Sequence, residues 1–213
     1  MDKRLIAGIL VFGSLWGFSE VIIGTGLQDA GLPYGGIMTG VFALSFLVLS
    51  RMAFRRPGMQ LGMGLVAGSL RMFNPFVGCH MCSAIAIMAE AAIFEIIWYK
   101  MESDFSDLGT VTMQSSMGIA TAYLVYVGGY ITTQVLTPIV GGASFYLENL
   151  IVFMPRILSA GLLPALLGGA VIPAILQIKK LDLTVKDRLY YPATLGISAF
   201  CWIAVIVFNT FLS

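Results

Sequence analysis

Apolar runs long enough to cross a bilayer recur along this chain, and they constrain its fold more than any other feature of the sequence. A helix rising about 1.5 Å per residue needs roughly 20 apolar residues to cross a hydrocarbon layer about 30 Å thick. Residues 5–26, 34–53, 58–75, 80–99, 110–136, 157–178 and 190–211 meet that need. The third run is the weakest, since it holds Gly58, Gly62, Gly64 and Gly68 and ends at Asn74-Pro75. It can span, break, or form half of a re-entrant hairpin. The pattern predicts an all-α fold: a polytopic membrane helix bundle of about seven hydrophobic segments, with six or seven crossings. No repeat, linker or low-complexity stretch divides residues 1–213, so a single transmembrane domain is expected.

Charge supports the same reading. Only 11% of the residues are charged, with 58% hydrophobic and a mean hydropathy of +0.91, whereas soluble domains carry about 25% charged residues. Too few polar side chains remain to cover a water-soluble core, so lipid is the expected solvent and a soluble enzyme is excluded. The formal net charge of +1 comes without a clustered basic face and gives no support to nucleic-acid binding. The run after Lys3-Arg4 resembles a secretory signal, but it is too long, lacks a small-residue cleavage site and carries Trp16 and Glu20. It reads instead as the first membrane helix.

Short cytoplasmic loops collect Lys and Arg. With the N-terminus cytoplasmic and seven crossings, all 12 Lys and Arg residues except Arg71 and Arg156 fall inside. A multi-pass protein of the cell membrane is expected, with Met101 to Gly109 as a short acidic cytoplasmic loop. Residues 137–156 form a longer external segment, in which Phe145 to Met154 reads as an interfacial helix ended by Pro155, serving as an anchor or a lid. Small residues recur at four-residue spacing at Gly13 and Gly17, Gly36 and Gly40, Gly64 and Gly68, and Gly161, Ala165 and Gly169. Their expected role is close helix packing.

Ionisable groups inside a membrane are costly, so they usually face a cavity or a partner. Glu20, Glu90 and Glu95 qualify. Glu90 is expected near the midplane, Glu20 in the outer half, and Glu95 near the cytoplasmic end. Arg71 belongs to the outer end of the third segment, where a structural ion pair with Glu20 is one reading. At 100° per residue, Cys79, Ser83, Ala86 and Glu90 share one small, partly polar face, which suits a cavity wall.

Residues 73–82, Phe-Asn-Pro-Phe-Val-Gly-Cys-His-Met-Cys, place the only histidine between two cysteines at an external helix start. Such a position lowers a thiol pKa and favours disulfide exchange at Cys79 and Cys82. Cys79, His80 and Cys82 equally form a candidate soft-metal set with a carboxylate as fourth ligand, and ordinary small packing residues are the third reading. No bis-histidine haem site, phosphate-binding glycine loop, GxSxG or HExxH occurs. No cofactor is identified by the sequence, and ATP-driven transport would need an ATPase on another chain.

Several of these stretches resemble the substrate-binding S components of energy-coupling-factor uptake transporters. They are the Lys3-Arg4 start, Leu15-Trp16-Gly17 with Glu20, Leu32-Pro33-Tyr34-Gly35-Gly36, Arg55-Arg56-Pro57-Gly58, and Leu163-Pro164-Ala165 through Gly169 to Pro173. The resemblance covers roughly residues 1–100 and 157–178. It implies a membrane protein that captures a small-molecule micronutrient from outside, together with a transmembrane coupling subunit and cytoplasmic ATPases. Together with the intramembrane charges, it makes Trp16, Glu20, Arg71, Asn74, His80 and Glu90 the candidate substrate-binding residues. Arg156 maps to the same external half.

Two other classes compete. A membrane thiol oxidoreductase would pass electrons from Cys79 and Cys82 to a quinone, similar to bacterial disulfide-forming membrane oxidases and vitamin K epoxide reductases. Those families use a second cysteine pair, and Cys201 is single. The other alternative is an anchor subunit of a larger membrane complex.

Overall fold

The computed structural model describes residues 3–73, 80–99, 105–141, 147–178 and 187–212. The described residues hold helices and connecting turns, with no strand among them. The helices are α1 (Lys3–Asp29), α2 (Tyr34–Ala53), α3 (Met59–Met72), α4 (His80–Trp98), α5 (Val111–Val140), α6 (Leu147–Ala160), α7 (Leu162–Ile178) and α8 (Asp187–Leu212), with a short 3₁₀ turn at Phe105–Asp107. Six spans are long and apolar enough to cross a membrane: α1, α2, α4, α5, the α6–α7 unit and α8. The chain is therefore a multi-pass membrane-type helix bundle.

Two glycines set the first turns. Gly31, at φ +69°, closes α1, with Leu32 N–H bonded to the Leu27 carbonyl at 3.0 Å and Gly31 N–H to that of Gln28 at 2.9 Å. That is a Schellman stop, whose left-handed residue favours glycine. Pro33 then opens α2, and Gly58, at φ +84°, precedes α3. Thr110 caps α5 by accepting from Met113 N–H at 3.3 Å.

Neighbouring residues fix the directions of the helices. Gly13 faces Met63 and Val66, and Gly17 faces Ala67 and Leu70, so α1 and α3 run parallel. Gly64 meets Ala91 and Gly68 meets Met88, so α4 returns. Gly128 meets Ile93 while Gly129 meets Glu90, and α5 reverses again. A side chain added at Gly118 would run into the Gly168 carbonyl, while Gly161 lies against Tyr123 and Val127, so α7 opposes α5. Trp202 Nε1 donates to Ser14 Oγ at 3.2 Å and Arg4 lies over the Tyr190 ring, which sets α8 parallel to α1. The passes thus alternate in direction, as the apolar runs predict. The spaced glycines Gly13, Gly17, Gly36, Gly40, Gly64, Gly68, Gly161 and Gly169 all lie at such crossings.

The weak third run is one continuous helix packed between α1 and α4. Its 14 residues rise about 21 Å, short of the roughly 30 Å hydrocarbon layer. The expected interfacial helix needs correcting. The helix begins at Leu147, runs through Pro155 to Ala160, and continues into α7 by way of Gly161 N–H to Ile157 O at 3.1 Å and Ala165 N–H to Gly161 O at 3.2 Å. Proline is tolerated inside membrane helices, and Pro155 does not end this element. Phe145 lies outside the described residues. Lys3, Arg4, Arg51, Arg55 and Arg56 share one end of the bundle, called here the basic end. Arg71 lies toward the opposite, far end, which the charge rule makes external.

Candidate functional site

Glu20 sits in the second half of α1 and Arg71 in the last turn of α3, and the parallel packing of these helices brings the two together. Both are buried, at 8% and 2% exposure. Arg71 Nη1 donates to the main-chain carbonyl of Glu20 at 3.1 Å, and its charge acts on the Glu20 carboxylate. One turn earlier on α1, fully buried Trp16 donates Nε1–H to Glu20 Oε1 at 3.2 Å. Trp16 therefore stands behind Glu20 and orients it.

Glu90, 7% exposed, lies midway along α4. Thr39 Oγ1 donates to Glu90 Oε1 at 2.7 Å. Thr39 belongs to a π-helical stretch of α2, Met38–Ala43, the kind of local widening often found where a helix serves a function. On the other side Gly129 makes room, since a Cβ there would come within 2.8 Å of Glu90 Cγ.

All of these groups except Trp16 and Gly129 line one cavity of about 440 Å³ near the far end, within the usual size range for small-molecule sites. Glu20, Arg71 and Glu90 face it, as do Ser83 and Ala86, which share with Glu90 the α4 face anticipated from 100° periodicity, and Cys82, which that face did not include. The opposite wall comes from Tyr34 and Thr39 on α2 and from Tyr126, Tyr130, Thr133 and Gln134 on α5. The sequence reading missed this wall, because tyrosine and threonine in an apolar run carry no charge signal. One pattern was available: positions 126, 130, 133, 134 and 137 form a polar stripe at helical spacing. Thr137 Oγ1, on that stripe, is buried and finds no hydrogen-bond partner among the described residues.

The other sequence candidates fall as follows. Asn74 and Cys79 lie outside the described residues, and His80 opens α4 with its side chain outside them. Cys82 lines the cavity and is disulfide-bonded, and a disulfide sulfur is not the thiolate a metal ion needs. Among the described residues, no three His, Cys, Asp or Glu side chains are grouped to hold a metal ion. Arg156 lines a neighbouring cavity of about 290 Å³ that shares Tyr126, Tyr130 and Gln134 with the first. Glu95 stands apart from the site, accepting from the main-chain N–H groups of Gly58 and, at 2.8 Å, Leu61. The site thus offers carboxylates, a guanidinium, phenols and hydroxyls in a low-dielectric pocket, which is equipment for binding a polar or charged small molecule. Comparison of the chain with protein-family models, curated proteins and solved structures returned no match.

Proposed function

We propose that this membrane protein captures a small micronutrient in the far-end cavity and hands it to an ATP-driven coupling module. One observation carries the reading: Glu20, Arg71 and Glu90, three costly intramembrane charges from three helices, converge on a single cavity of ligand size. The resemblance to S components of energy-coupling-factor transporters supplies the form of the handover, with a transmembrane subunit and ATPases as partners. The test is purification from a native membrane in mild detergent, with mass spectrometry of any retained small molecule and of copurifying chains. A retained compound and an ATPase are expected. Absence of both sinks the reading.

A second reading rests on Cys82, which is both disulfide-bonded and a lining residue of the cavity. As a thiol oxidoreductase, the protein would take two electrons and two protons from substrate dithiols and pass them to a quinone. Quinone reduction that depends on added dithiol, and is lost when Cys79 and Cys82 are both changed to Ser, is the outcome that would favour it.

A further inference from the structure

We infer that the cavity takes an organic cation, a small amphipathic molecule whose positively charged nitrogen sits between the Glu90 carboxylate and the Tyr126 and Tyr130 rings. The inference rests on the capture reading and adds the charge class of what is captured. Its basis is the charge inventory of the cavity. Arg71 is the only basic side chain among the described lining residues, and it is committed to Glu20, bonding its carbonyl and acting on its carboxylate. Among the described residues, Glu90 receives only a neutral hydroxyl, from Thr39. Arg156 lines the neighbouring cavity, not this one. A carboxylate held at this depth without a cation is expensive, and a ligand that brings a positive charge removes the cost.

The aromatic wall narrows the class. Tyr126 and Tyr130 lie with ring centroids 6.0 Å apart, and both face the cavity with Tyr34. Ring faces attract cations, most strongly where water is excluded; Tyr126 is half-buried and Tyr130 42% exposed, so the attraction here is that of a partly solvated site. A bare metal ion is a poor fit, since it needs several oxygens converging on one point. Among the described residues no such group of His, Cys, Asp and Glu exists, and the volume of about 440 Å³ suits a molecule of several heavy atoms. Gly129 keeps the Glu90 side chain in place, because any larger residue there would displace it.

Three probes of one size and different charge test this on the purified full-length protein: phenethylammonium, phenylacetate and 2-phenylethanol, each by calorimetry and thermal shift. Phenethylammonium is expected to bind at least about tenfold tighter than the other two and to raise the melting temperature, the usual worth of a charged hydrogen bond. Glu90→Gln should erase that preference, and Glu90→Asp, which keeps the charge, should restore part of it. Equal or tighter binding of phenylacetate or 2-phenylethanol overturns the inference. So does a cation preference that survives in Glu90→Gln, or binding by none of the three. The two readings fail separately. A retained anionic or neutral compound leaves capture standing and removes the charge class, whereas no retained compound together with no probe binding removes both.

Discussion

The middle of α4 and its last turns carry a glutamate each, five positions apart, and use them in opposite ways. Toward the basic end, Glu95 places both carboxylate oxygens on the Gly58 and Leu61 N–H groups at the start of α3. Those donors have no partner within their own helix, and the helix dipole favours a negative charge beside them. Beside the same turns of α4 the Trp98 and Phe105 ring centroids lie 4.0 Å apart, Phe94 stacks on Phe105, and all three are essentially fully buried, while Glu95 itself borders a pocket of about 200 Å³ with Leu61 and Tyr99. Toward the far end, Glu90 has one hydroxyl donor and small neighbours, Ser83, Ala86 and Gly129, with a cavity beside it. The side chain is the same in both places. Unpaired main-chain N–H groups within reach turn one glutamate into a cap, and their absence leaves the other open to a ligand.

This contrast can be broken in order of expected effect. Trp98→Ala should be the most damaging, costing about 3–5 kcal/mol because it empties a packed aromatic cluster. Unfolding in micelles would measure it, and a cost under about 1 kcal/mol would mean the basic end is not closed by packing. Glu95→Ala should cost roughly 1–3 kcal/mol by stripping the cap from α3, with ligand affinity unchanged. A change in affinity without a change in stability would reverse the roles assigned to the two glutamates.

Gly129→Ala tests the open end. The added methyl meets Glu90 Cγ at 2.8 Å, so the carboxylate must move, at a stability cost of about 1–3 kcal/mol if the helices cannot part. Binding of any ligand that copurifies should weaken, whereas unaltered binding would show that the position of Glu90 does not matter. Glu90→Gln is expected to have the smallest effect on stability, under about 1 kcal/mol, because volume and the Thr39 bond are kept. A loss nearer 3–5 kcal/mol would mark Glu90 as part of a buried ion pair instead.

Much of the bundle was legible because its signals are local. Span length, the basic clusters and the glycine spacing each depend on residues close together in the chain, and the 100° rule placed Ser83, Ala86 and Glu90 on one face before any coordinates. The same economy of charge that identified the class singled out Glu20, Arg71 and Glu90. What escaped depends on distant contacts. The cap that Glu95 makes on α3 joins residues 34 and 37 positions apart. The Tyr126 and Tyr130 wall becomes a site only once α5 lies against α4 and α2. Pro155 misled because a proline disfavours the interior of an isolated helix, whereas membrane helices tolerate it and this one runs on to Ala160.

The shortness of α3 bears on how a membrane voltage would act at the site. Its 14 residues rise about 21 Å, less than a hydrocarbon layer of about 30 Å, and wherever water enters the cavity beside Arg71 and Glu20 it would carry the potential of the outer solution into the bundle. The membrane voltage would then fall mainly across the protein between Glu90 and the basic end, which includes the cluster of Phe94, Trp98 and Phe105. An elementary charge crossing the full layer exchanges about 2.3 kcal/mol per 100 mV, and a cation settling beside Glu90 takes up the share dropped along the cavity. For a cationic ligand, and with the far end external as the charge rule has it, an interior-negative potential would tighten capture and its collapse would loosen it.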